Sequence, residues 1–160
     1  NPENAKIMAE EICNALGAKS PQNQQYFKKN LDSFNSQIDA KIQEWEESLS
    51  KLKQKNIITF HKSWIYFTDR FNLNVIGHVE PKPGIPPTPS HNAEIINLIK
   101  QGKIKLILME NYYSDNATNQ IAELTGINVI KVPNAVYGME GIDSYIKLMD
   151  YIVNQVVSNG

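Results

Sequence analysis

The sequence predicts an α/β fold, in which a long amphipathic linking helix precedes a four-stranded parallel sheet with helices on both faces. Three observations carry this expectation. Large apolar residues recur every three or four positions from Phe27 to Leu52. After Asn56 the texture changes to short apolar runs alternating with helical stretches, the pattern of βα units. The 160 residues are 41% hydrophobic and 21% charged, the composition of an ordinary globular domain.

The elements follow in order. Asn1 as N-cap, Pro2 in the first turn and Glu3 beside the positive helix end read as a helix start. Ala5, Met8, Ile12, Ala15 and Leu16 supply its apolar face, and Gly17 is the expected stop. A second helix begins at Ser20-Pro21 and carries the stripe Phe27, Leu31, Phe34, Ile38, Ile42, Trp45, Leu49 and Leu52. Seven steps cover 25 residues, a period of about 3.6, so a straight helix on a core fits better than a supercoil. At 1.5 Å per residue it would reach roughly 50 Å, more than a domain of this size needs, which suggests a spine joining two lobes.

Four βα repeats follow. Strands are expected at Ile57–Phe60, Asn74–Val79, Lys105–Met109 and Asn128–Val132, each leading to a helix: near Trp64–Phe71, His91–Lys100, Asp115–Leu124 and Asp143–Val157. Right-handed crossovers would cover both faces of the sheet. The expected division is therefore an N-terminal helix over 1–19 that ends another lobe, a linking helix over 20–55, and an α/β lobe over 56–160. A first residue that opens a helix, with neither Met nor a signal h-region before it, reads as a piece of a longer protein.

Charge and cysteine content narrow the function. Sixteen basic residues against seventeen acidic ones give a net charge of −1, and no nucleic acid or anionic membrane is expected from that balance. The single Cys13 cannot form an internal disulfide. No apolar run approaches the length of a membrane span.

In a parallel sheet, ligands bind outside the carboxyl ends of the strands. The residues there are His61, Glu80 with its proline loop, Glu110-Asn111-Tyr112-Tyr113, and Pro133-Asn134. Signatures for dinucleotides, phosphates, serine nucleophiles and zinc proteases are missing. The three histidines, His61, His78 and His91, include no i,i+4 pair, so a metal site would have to be assembled from distant loops. His61 reads either as a ligand or as a histidine bonded to a loop carbonyl. His78 reads as a satisfied core histidine, and His91 as part of a helix start. Glu110 reads as a ligand or as an anchor for loop amides. Five prolines between Glu80 and Pro89 make that loop a stiff wall.

Taken together, these segments resemble the C-terminal half of the cluster A-I solute-binding proteins, the zinc and manganese components of bacterial ABC importers. Asn1–Lys6 is similar to the segment after the family's H-x-W-L-D-P motif, and Phe60–Phe67 resembles its F-H-D-A-[FWY]-x-Y-F block. Gly84 to Pro89, Glu110 and Asp143-Ser144-Tyr145 also match family positions. The resemblance implies one lobe of a two-lobed, non-enzymatic protein that holds one divalent metal between its lobes and delivers it to a membrane permease. It implies an envelope location, periplasmic or lipid-anchored, with cell adhesion as an associated role. It also implies an N-terminal lobe, outside this sequence, that carries two histidine ligands.

Among the family's ligands, the histidine of the F-H-D-A block carries over to His61. The aspartate usual after the last strand is replaced here by Asn134, whose amide oxygen is a poor zinc ligand. Three histidines plus water, or a shift to Glu110 or Glu80, are then the options. The imidazole at His61 favours zinc, and a more oxygen-rich set would favour manganese. Metal binding by this piece alone is expected to be weak or absent, and a homodimer through the long helix is a possible partner arrangement. Two other classes stay open from the residues alone: a small α/β metal-dependent enzyme, and a helical protein-interaction module.

Overall fold

The computed structural model describes residues 1–82, 84–102 and 104–160. The expectation that touches Pro83, one of the five prolines of the Glu80–Pro89 loop, lies outside these. The chain divides into two compact units, Asn1–Glu47 and Ser48–Gly160.

The first unit is helical. Helix α1 spans Pro2–Lys19, a 3-10 turn covers Pro21–Asn23, and α2 begins at Gln24 and continues to Ser50 in the second unit. Asn1 caps α1 by accepting the Glu3 N–H at 2.9 Å. Gly17 does not end the helix as its residue type suggests. The helix runs on to Lys19, whose C-cap Ser20 donates its N–H to the Leu16 carbonyl. A Cβ at Gly17 would meet the Gln24 side chain at 3.5 Å, so glycine serves here as a small contact surface between the two helices. Lys6 and Asp39 bridge them farther along at 2.6 Å.

The second unit is a βα lobe. Its strands are β1 (Asn56–Thr59), β2 (Asn74–His78), β3 (Leu106–Glu110) and β4 (Asn128–Val132). Its helices are α3 (Ile65–Arg70), α4 (Pro89–Gly102), α5 (Asn116–Thr125) and α6 (Tyr145–Asn159). All pairings are parallel, in the order β2-β1-β3-β4. The chain steps one way from β1 to β2 and the other way to β3 and β4. Right-handed crossovers therefore put α3 on one face, and α4 and α5 on the other. On the α4/α5 face, Ile58, Val79, Ile95, Ile107, Met109 and Ile121 form the core. Helix α6 packs on β3 and β4 and buries Leu148, Met149, Ile152, Val153 and Val156.

Glu110 is the last residue of β3 rather than the first of a loop, in register with Val132. The sequence places it first in the loop because it directly follows the apolar run. The ladder carries it inward instead, to 0% exposure.

Candidate metal centre

The site is built where β1, β2 and β3 end. β1 finishes at Thr59, and the Phe60 N–H still bonds the Leu108 carbonyl at 2.8 Å, so His61 leaves the sheet at its carboxyl edge. His61 is extended, with φ −119° and ψ 179°, and precedes the 3-10 turn Lys62–Trp64. Its ring is buried, at 3% exposure.

Two contacts orient that ring. Nδ1 lies 2.7 Å from the Glu80 carbonyl, and since a carbonyl only accepts, Nδ1 carries the proton. Nε2 is then left with its lone pair, buried and without a hydrogen-bond partner among the described residues. Tyr113 meets the imidazole edge-on, with centroids 4.5 Å apart. A carbonyl holding one ring nitrogen so that the other is free is the arrangement that fixes metal-binding histidines.

One carboxylate faces Nε2. Oε2 of Glu80 lies 3.8 Å away, on a side chain only 12% exposed. Glu110 accepts a short hydrogen bond from the Ser63 hydroxyl on Oε1, and its Oε2 is buried without a partner among the described residues. Desolvation, then Tyr112, then the charges of Glu110 and Glu80 hold the Tyr113 phenol above its ordinary range, so it stays neutral beside them. Two buried polar atoms without a hydrogen-bond partner among the described residues, His61 Nε2 and Glu110 Oε2, thus lie at the ends of β1 and β3.

The remaining candidate residues have partners of their own. Asn134 is exposed and donates its amide to the Tyr112 hydroxyl at 3.0 Å. His78 is bonded to Thr59 Oγ1 at 2.8 Å through Nδ1, and burial with the nearby Lys62 charge lowers its pKa. His91 stands in the first turn of α4, where Thr88 Oγ1 accepts its N–H, and its Nε2 donates to the His78 carbonyl at 2.9 Å. The sequence alone does not single out Ser63; its place two residues after His61 is the available signal. Among the described residues no three His, Cys, Asp or Glu side chains close on one point to hold a metal.

Comparison with known proteins identifies the family and the fold. Residues 1–159 match the family described as ZnuA, zinc-uptake complex component A, periplasmic. The high-affinity zinc uptake system protein ZnuA of Brucella abortus is 24% identical over 157 residues, covering 98% of this chain and 47% of that protein. The manganese ABC transporter substrate-binding lipoprotein PsaA of Streptococcus pneumoniae is 25% identical over 162 residues, 98% of this chain and 52% of its own length. Among solved structures, the laminin-binding protein Lmb of Streptococcus agalactiae, described as a bifunctional protein with adhesin and metal transporting activity, superposes with a TM-score of 0.86 at 22% identity. That superposition covers 99% of this chain and 61% of Lmb. The chain therefore spans about half the length of its curated relatives. By its match along nearly every residue, the chain belongs to the periplasmic zinc-uptake component A family of solute-binding proteins.

Proposed function

We propose that this chain is the metal-holding half of an envelope solute-binding protein, which captures a divalent cation, zinc foremost, and hands it to an ABC permease. The observation that carries the reading is the buried, unpartnered Nε2 of His61, aimed by the Glu80 carbonyl and 3.8 Å from the Glu80 carboxylate. A zinc ion with bonds of about 2.0–2.2 Å to each fits a nitrogen–oxygen separation of that order. Glu110 stands behind with one oxygen held by Ser63 and the other free to accept. Asn134, tied to Tyr112, contributes no ligand.

The role is binding, not catalysis. Capture needs a site that is strong enough to hold the ion and incomplete enough to release it. The remaining ligands come from outside this chain, in the half of the relatives' length that it does not cover. The names of the relatives, a zinc uptake protein and a manganese lipoprotein, support the cation class and a periplasmic or lipid-anchored location. One imidazole beside a carboxylate favours zinc, and recruitment of Glu110 as well would move the preference toward manganese. Two copies meeting through α2 would cover the half-buried Phe27, Leu31 and Phe34, an arrangement that sedimentation tests directly.

Calorimetric titration of the chain with Zn²⁺ tests the reading. Weak binding of one ion is expected, lost in His61→Ala, reduced at least about tenfold in Glu80→Gln, and unchanged in Asn134→Ala. Tight binding that survives His61→Ala would overturn it.

A further inference from the structure

The apolar run of β1 is interrupted at its end by Thr59, whose side chain is 1% exposed. Thr59 Oγ1 carries a single hydrogen, and the His61 carbonyl, which only accepts, takes it at 2.7 Å. The same oxygen lies 2.8 Å from Nδ1 of His78, so that ring nitrogen is the donor. Thr59 and His78 stand opposite each other in the parallel register of β1 and β2. The His78 carbonyl in turn accepts from Nε2 of His91 at 2.9 Å, in the first turn of α4. Residues far apart in sequence are thus tied in one line: His91 to the His78 backbone, the His78 ring to Thr59, and Thr59 to the His61 peptide. On the other side of His61, the Phe60 carbonyl accepts the Glu80 N–H at 2.9 Å.

Packing alone does not ask for these side chains. Valine has the shape of threonine with no hydroxyl to satisfy, and the half-buried His78 borders an open cleft of about 430 Å³. What the pair supplies is direction. With the His78 N–H aimed at its lone pair, the Thr59 hydroxyl keeps its own hydrogen for the His61 carbonyl, and each bond polarises the next. The peptide after His61 is then held by Thr59 and the peptide before it by Glu80, so the Cα–Cβ bond of His61 is fixed from both sides. That direction keeps Nδ1 on the Glu80 carbonyl at 2.7 Å and Nε2 at 3.8 Å from the Glu80 carboxylate. We infer that Thr59 and His78 are positioning residues for metal capture, holding the His61 backbone so that its ring presents a free Nε2 to Glu80. The inference rests on the reading of His61 as the metal-binding residue. Neither side chain reaches the ion; both act through the His61 peptide, and losing such supports costs metal sites about ten- to a hundredfold in affinity.

Zn²⁺ titration of the full chain, followed on the histidine ring signals by nitrogen NMR, tests this. Before metal is added, His61 of the parent should show the single tautomer protonated at Nδ1. Thr59→Val should mix the two tautomers and lower zinc affinity about tenfold, and Thr59→Ser, which keeps the hydroxyl, should restore both. His78→Leu should weaken binding several-fold, whereas His78→Asn, whose amide N–H stands in for the Nδ1 donor, should keep most of it. Because the two side chains form one line of bonds, Thr59→Val combined with His78→Leu should be no worse than Thr59→Val alone. Circular dichroism of each variant checks the fold. A folded Thr59→Val chain with the parent's zinc affinity and the parent's His61 tautomer would overturn the inference. So would a loss that Thr59→Ser does not recover, since packing and not the hydroxyl would then be the cause. Mixed tautomers in Thr59→Val together with zinc binding that survives His61→Ala would overturn the metal reading and leave the hydrogen-bonded line standing, so the two failures are told apart.

Discussion

The two units of this chain spend their apolar residues differently. In Ser48–Gly160 the strands are closed on both faces: Ile58, Ile107, Leu108 and Met109 are all 0% exposed. In Asn1–Glu47 the first helix leaves Ile7, Met8 and Ile12 at 58 to 65% exposure. Along α2 the stripe is only half-buried at Phe27, Leu31 and Phe34, and buried at Ile38 and Trp45. The lobe makes its own core, whereas two helices side by side have too little facing surface to do so. The same hydrophobic periodicity thus signals self-sufficiency in one region and an unfinished surface in the other.

Core deletions give the largest separation between the units. Met109→Ala or Ile107→Ala removes a side chain with no exposed area, and a loss of about 2–5 kcal/mol is expected in denaturant unfolding. Ile12→Ala, at 58% exposure, should fall within about 0.5 kcal/mol of the parent. Hydrogen exchange should agree, with the amides of β3 protected to the global limit and those of α1 opening locally. Uniform protection over α1, α2 and β3 would erase the contrast.

Next comes the polar pair in the lobe. Glu110 is a fully buried carboxylate whose described partner is the Ser63 hydroxyl. Ser63→Ala leaves both carboxylate oxygens unpartnered and should destabilise the chain by about 1–3 kcal/mol without metal. Glu110→Met replaces the buried carboxylate by an apolar group of similar size and should be neutral or stabilising, while weakening zinc capture. A large loss of stability from Glu110→Met would mean that Oε2 already has a strong partner.

That pair also marks where the sequence stopped being legible. Period-3.6 and short-run patterns located all six helices and all four strands within a few residues, because they report which side is buried and need no partner identity. His61 and Glu80 could be placed at strand ends for the same reason. Their closeness depends on β1 and β2 being neighbours in register, Thr59 opposite His78, which no local pattern encodes. Ser63 on Glu110 spans 47 residues, and Asn134 on Tyr112 spans 22, so both are consequences of the sheet order. Gly17 shows the reverse error: a local stop signal overridden by a tertiary contact with Gln24.

Helix caps test the same contrast with a smaller effect. Ser144 accepts the Lys147 N–H at 3.3 Å at the start of α6, whose buried residues tie it to the sheet. Ser144→Ala should cost about 1 kcal/mol of global stability. Asn1 makes the equivalent bond for α1, and Asn1→Ala should register only as faster exchange in the first turn, since that helix end opens without unfolding the lobe.

The smallest expected effect is electrostatic and lies on the lobe surface. Lys131 on β4 donates to Asp115, the N-cap of α5, at 3.1 Å, and that bond is the main cause holding the Asp115 carboxyl below its ordinary range. The folded-state value lies below the unfolded one, so the pair's contribution is present above the ordinary carboxylate range and is lost as pH falls through the lowered value. Because the pair is exposed and screened, its share of stability is minor and the titration itself is the better readout. Carbon-detected NMR of the Asp115 carboxyl should show a midpoint below that of a free aspartate, moving upward in Lys131→Met and upward with added salt in the parent. A midpoint indifferent to both changes would assign the shift to the Asp115 backbone bond and leave the β4–α5 pair without an electrostatic role.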